Sequence, residues 1–167
     1  MKQPEITVLV EVGPAFQDRV DCGLVERSAR TALRIGLADR ASPAVGGERA
    51  EVGVQITDDE QMRRLNGRYR GVDRPTDVLS FSLIEGPELP RDPEWPTQLG
   101  DVVISYPYAE RQADELGHSV PTELAWLTVH GALQILGYRH ETEEAAAHME
   151  GLERAALQEL GLFPGDG

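Results

Sequence analysis

His130, Gln134 and His140 fall in the run HGALQILGYRH, the one stretch of the chain where residue type and spacing together ask for chemistry. Residues four apart share a helix face, so the side chains of His130 and Gln134 project into one volume, a turn apart. Gly137 then ends the helix. A glycine just past the last helical residue can take the left-handed conformation and reverse the chain, which places His140 to return over the same face. The layout is that of the extended zincin motif H-E-x-x-H-x-x-G-x-x-H. Two positions differ: Gly131 stands where that motif has its glutamate base, and Gln134 where it has the second histidine. Peptidase chemistry through that base is not supported. The plainer alternative makes both histidines ordinary polar residues at a helix end; the spacing around the glycine and the apolar helix leading in favour a metal.

That helix has its own start signals in Ser119 as N-cap and Pro121 in the first turn. It runs through Leu124, Leu127, Val129, Leu133 and Leu136, apolar on every side, which predicts a buried central helix. A histidine inside it must satisfy its ring nitrogens, and a bound metal is one way to do so. Period-two patterns predict strands over Glu5 to Val10, Glu51 to Thr57, Thr76 to Leu83 and Leu99 to Ser105. Helical periods run from about Phe16 to Leu37, with Val25, Ala29, Ala32 and Gly36 inward, and from the cap Asp58 to Asn66 or Gly67. A further helix begins at Pro107 and ends at Gly117. The last opens at Thr142, turns Met149, Leu152, Ala156 and Leu160 inward, and closes at Gly161 and Pro164. Asp39 to Arg49 and the four-proline segment Glu85 to Gln98 read as loops.

A chain of 167 residues suits one domain, with roughly 70% of its unfolded surface buried. Its hydrophobic share of 40% and charged share of 27% are ordinary for a soluble protein. No apolar run is long enough to cross a membrane, and the start MKQPEITVLV lacks the features of a secretion signal, so the expected location is cytoplasmic. Cys22 has no second cysteine to pair with and is expected to be a small packed or half-buried side chain. A net charge of -13 at first argues against nucleic acid. Distribution matters more than the total. Fifteen of the sixteen cations are arginine, and five of them, Arg63, Arg64, Arg68, Arg70 and Arg74, fall within twelve residues. The planar guanidinium fork suits phosphate oxygens. The alternative is a solvated helix face paired with Asp58, Asp59 and Glu60.

Three blocks in order, LNGRYRGVDRPTDVLSF at 65 to 81, LGDVVIS at 99 to 105, and ELAWLTVHGALQILGYRH followed by ETEEAAAHMEGLE, resemble the YbeY-type endoribonucleases, or rRNA maturation factors. The resemblance covers most of the chain from about residue 50. It implies an α+β fold, a small mixed four-stranded sheet packed with about five helices, and a zinc-like ion on the central helix. It also implies cleavage of single-stranded RNA in maturation of small-subunit rRNA, with the rRNA precursor and the small ribosomal subunit as partners and neither membrane nor DNA. The family's three ligands fall on His130, Gln134 and His140, and its functional arginine on Arg70. Members usually have histidine at 134 and aspartate at 139, and histidine is common at 126, where this chain has Gln134, Arg139 and Trp126. An amide oxygen is a weaker zinc ligand than imidazole, and a nearby guanidinium disfavours a dication. His118 and Glu141 are the nearest titratable residues that could act as general base. The alternative function is a noncatalytic RNA-binding ribosome-assembly factor that keeps the arginines and has a degenerate metal site.

Overall fold

Strands β1 (Glu5–Val12), β2 (Arg49–Thr57), β3 (Val78–Ser82) and β4 (Thr97–Ser105) form one mixed sheet in the order β1-β2-β4-β3. The computed structural model describes residues 3–39, 45, 47–85, 92 and 94–162. β1 and β4 each pair in parallel with β2, in registers that align Val8 with Val52 and Val54 with Val102. β3 returns antiparallel to β4 and forms one edge of the sheet. The alternation expected of β2 is present, with Val52, Val54 and Ile56 all buried.

Five α-helices join them: α1 (Cys22–Ala38), α2 (Asp59–Arg70), α3 (Tyr106–Leu116), α4 (Val120–Ile135) and α5 (Glu143–Glu159). The expected α+β architecture is therefore observed. Ser119 caps α4, its side chain accepting from the amide of Thr122, and Leu124, Leu127, Val129, Leu133 and Ile135 are all buried. An apolar circumference fits a helix with partners on several sides: α4 packs on β3 and β4, on α1 and on α3 and α5. α1 meets it through a stripe that includes Val25, Ala29, Ala32 and Gly36, all buried. Met149 and Ala156 of α5 are buried, and Leu152 and Leu160 pack beside them.

Two helix boundaries differ from the sequence reading by nearly a turn or more. The first long helix begins at Cys22, not near Phe16, because the side chain of Asp21 accepts from the amide of Leu24 and starts it there. Pro14–Phe16 form a separate 3-10 turn whose Phe16 ring stacks on Tyr106 at 5.0 Å. Cys22, as the first helical residue, is exposed rather than packed. α2 continues past Gly67 to Arg70, so Arg68 and Arg70 occupy its last turn, where cations suit the helix dipole. Residues 40–44, 46, 86–91 and 93 of the two expected loops lie outside the described residues, as does Pro164. None of the described helices is long and apolar enough to cross a membrane.

Candidate active site

His130 faces a cavity from the middle of the buried helix α4, and its neighbours fix the ring on two sides. Trp126, one turn earlier, stacks on it at 5.3 Å with 23° between planes. Glu153 of α5 places Oε1 2.7 Å from His130 Nδ1. Glu153 is only 7% exposed, so the carboxylate has few alternatives to this partner. A carboxylate accepts, which assigns the hydrogen to Nδ1 and leaves the lone pair on Nε2. The chain then reverses at Gly137, whose φ of 101° belongs to the left-handed region that glycine tolerates. This turn sets the His140 ring 5.6 Å from that of His130. The two histidines are brought together as the spacing predicts, and Gln134 lines the same cavity.

Gly131, which stands at the position of the zincin glutamate, sits where α4 meets the sheet closely. A Cβ at Gly131 would stand 2.6 Å from Cγ1 of Val102 on β4, so α4 lies too close to the sheet for any side chain there. β3 is joined to the same stretch by hydroxyls: Ser80 Oγ donates to the carbonyl of Gly131 at 2.9 Å, and Ser82 Oγ to that of Ile135 at 2.7 Å. Ser80 Oγ also lies 3.1 Å from Oε1 of Gln134. One hydroxyl carries one hydrogen, and the carbonyl of Gly131 can only accept. Turning the Gln134 amide by half a turn, which leaves its shape unchanged, lets Nε2 donate to Ser80 and frees Oε1 from it.

The cavity has a volume of about 670 Å³, and its wall includes Arg70, Asp77, Glu85, Arg139 and Glu141. Arg139 does not leave an unbalanced charge beside the histidines. Its Nη2 donates to both carboxylate oxygens of Glu85, at 2.7 and 2.6 Å, and its Nη1 to the carbonyls of Gln134 and Tyr138, at 2.8 and 2.9 Å. The arginine cluster divides in two. Arg63 is bound to Glu60 and Asp73, at 2.9 and 2.7 Å, and Arg64 to Glu60 at 3.3 Å. The hydrogen bond and charge of Arg63 hold the Glu60 carboxyl below its usual range. Arg68, Arg70 and Arg74 have no acidic partner among the described residues, and of these Arg70 reaches the cavity.

Of the other titratable residues singled out from sequence, only Glu141 lines this cavity. His118 is held 2.7 Å from the buried Glu123 and borders a different concavity. His148 pairs with Asp39 at 3.0 Å, and its ring lies 5.8 Å from that of Tyr138. No group of three or more His, Cys, Asp and Glu able to hold a metal occurs among the described residues. Sequence reading missed Glu153 and Asp77. Glu153 lies at helical spacing from Met149 and Ala156, and an acid on an apolar stripe is a readable signal. Asp77 lies in the cavity wall just before β3, its Oδ1 accepting from the amide of Val78 at 2.7 Å and its Oδ2 from Gln112 Nε2 at 3.3 Å.

Comparison of the sequence with known families and proteins points to one family. The family profile described as endoribonuclease YbeY matches residues 23–161. The endoribonuclease YbeY of Moorella thermoacetica is 48% identical over 147 residues, covering 86% of this chain and 94% of its own. That of Roseiflexus castenholzii is 45% identical over 163 residues, covering 97% and 98%. In fold, the chain is similar to the solution structure of a Thermotoga maritima protein, with a TM-score of 0.56, 22% identity and 96% of each chain covered. With a profile match across most of its length and relatives this similar end to end, the chain belongs to the endoribonuclease YbeY family.

Proposed function

We propose that the protein is a metal-supported endoribonuclease that cuts single-stranded RNA, acting in the cytoplasm on the small-subunit rRNA precursor. The observation that carries this reading is one cavity holding two facing imidazoles and an acid-free arginine. His130 through Nε2, His140, and Gln134 through its amide oxygen are the residues that would hold the ion, with zinc the metal best matched to imidazole. Their fit is supported by the donor set: one ring is oriented by Glu153, the amide can turn its oxygen away from Ser80, and Glu85 neutralises the nearby guanidinium. A bound ion supplies Lewis acidity, polarising the phosphoryl group and lowering the pKa of an attacking hydroxyl or water.

The remaining roles belong to the chain itself. Arg70 binds the scissile phosphate through its planar fork and stabilises the charge that builds on the phosphoryl oxygens. Glu141 faces the cavity with no hydrogen-bond partner among the described residues, so it is the carboxylate free to take the proton of the attacking oxygen. Asp77 is tied down by its backbone and Gln112 contacts and shapes the wall. A noncatalytic assembly role draws support from Gln134, since a weak ligand set suits a protein that keeps RNA binding without metal. The two differ in metal content and in cleavage of a single-stranded RNA by the same preparation.

A further inference from the structure

Beside the cavity that holds His130 and His140 lies a second one of about 330 Å³, and Arg70 and Thr76 line both. The shared wall sets the two hollows side by side at the residue proposed to grip the scissile phosphate. Across the second hollow stand Arg74, from the loop after α2, and Tyr108, from the first turn of α3. Arg74 is exposed and has no acidic partner among the described residues, in contrast to Arg63 and Arg64. Tyr108 is half-buried. Arg111 lies 5.1 Å over its ring and is itself anchored to Asp59 at 2.9 Å, so the aromatic is held in place by a cation fixed from behind.

We infer that this second hollow binds the nucleotide adjoining the cleaved bond of a single-stranded RNA, its phosphate against Arg74 and its base against Tyr108. The placement rests on the endoribonuclease reading and extends it from one phosphate to two. Its chemistry is that of single-strand recognition, in which cations follow the backbone and aromatic rings take bases without reading them. An acidic chain of net charge -13 has few places where a polyanion can lie, and the unpaired guanidiniums of Arg70 and Arg74 in the wall of this hollow mark one. The strand path runs from the histidines past Arg70 to Arg74 and Tyr108. It gives Arg74 and Tyr108 no part in the bond-breaking step.

The test compares the parent with Arg74→Ala, Arg74→Lys, Tyr108→Leu and Tyr108→Phe, each checked by its melting curve. Binding of a labelled single-stranded hexanucleotide is followed by fluorescence anisotropy across a salt series, and cleavage is followed on the hexanucleotide and on a dinucleotide with one phosphate. Removing a stacking ring or a phosphate contact weakens hexanucleotide binding roughly tenfold, and Arg74→Ala makes the salt dependence shallower by about one phosphate contact. Tyr108→Phe and Arg74→Lys retain most of the affinity, and Arg74→Ala lowers cleavage of the dinucleotide, which has no second phosphate, less than cleavage of the hexanucleotide. Hexanucleotide binding equal in all five proteins overturns the subsite and leaves the nuclease reading standing. A parent that binds hexanucleotide through Arg74 and Tyr108 but cleaves nothing supports the subsite and rejects the nuclease. A parent that binds no RNA overturns both.

Discussion

Glu153 Oε1 stands 2.7 Å from His130 Nδ1 although 23 residues and a helix reversal separate them. α5 packs on α4, and that packing carries the carboxylate to the ring. The contact fixes both the tilt of the imidazole and the nitrogen it offers, which is the usual service of a carboxylate behind a metal-binding histidine. Glu153→Leu is expected to weaken zinc binding by roughly 10- to 100-fold, read by competition with a coloured chelator. Glu153→Gln, which still offers an oxygen to Nδ1, is expected to lose much less. Equal zinc affinity in the leucine variant and the parent would remove Glu153 from the metal account.

Gln134 is the weak point of the proposed ligand set. Its amide donates poorly and carries no charge, so the parent is expected to give up metal to a mild chelator on dialysis. Gln134→His places a third imidazole at helical spacing from His130 and should retain zinc through the same dialysis. Arg139 offers no obstacle, because its Nη2 donates to both carboxylate oxygens of Glu85, which balances its charge. A parent that keeps one equivalent of zinc as firmly as the variant shows Gln134 to be an adequate ligand or one that has been replaced, with Glu141 the residue to examine.

Arg70 occupies the last turn of α2 with no acid to neutralise it among the described residues. Arg70→Ala is expected to abolish RNA cleavage while changing stability by less than about 0.5 kcal/mol, as for an exposed side chain without structural contacts. Undiminished cleavage excludes it from the mechanism. A large fall in melting temperature instead identifies a structural role.

Tyr138 belongs to the turn that returns His140, and its hydroxyl donates to the carbonyl of Gly36 at 2.8 Å. Burial, reinforced by the charge of Asp39, pushes its pKa up to about 12. A phenol whose pKa is higher folded than unfolded stabilises the fold fully below the unfolded value near 10 and loses that contribution as pH rises towards 12. Melting temperature should therefore fall above pH 10. Tyr138→Phe, lacking the ionisable group, should start lower by about 1 kcal/mol of stability and show a shallower decline. Parallel alkaline declines in the two proteins would exclude Tyr138 as the source.

The motif on α4 was legible because its signals are local: helical spacing, an apolar circumference and a glycine stop all lie within about twenty residues. The meeting of His130 with His140 follows from those alone. Asp77 was not legible as a site residue, since it reaches the cavity through tertiary packing that no period encodes; Glu153 was readable as an acid on an apolar stripe, but its partner His130 was not, because the packing of α5 on α4 supplies it. The arginine run shows the same limit. Its composition was plain, but which members are paired depended on Asp73 folding back onto Arg63 and on α2 extending to Arg70. The start of α1 was misplaced because the cap at Asp21 acts by one hydrogen bond, while the apolar pattern around Phe16 serves a contact with Tyr106.

The most direct measurement is metal-dependent cleavage on one preparation. The protein is stripped with chelator, its zinc content measured, and cleavage of a single-stranded RNA followed as zinc is returned, beside His130→Ala and His140→Ala. The account predicts no cleavage by stripped protein, recovery as zinc approaches one equivalent, and no recovery in either variant. Full cleavage by metal-free protein, or full recovery in a variant lacking either histidine, would contradict it.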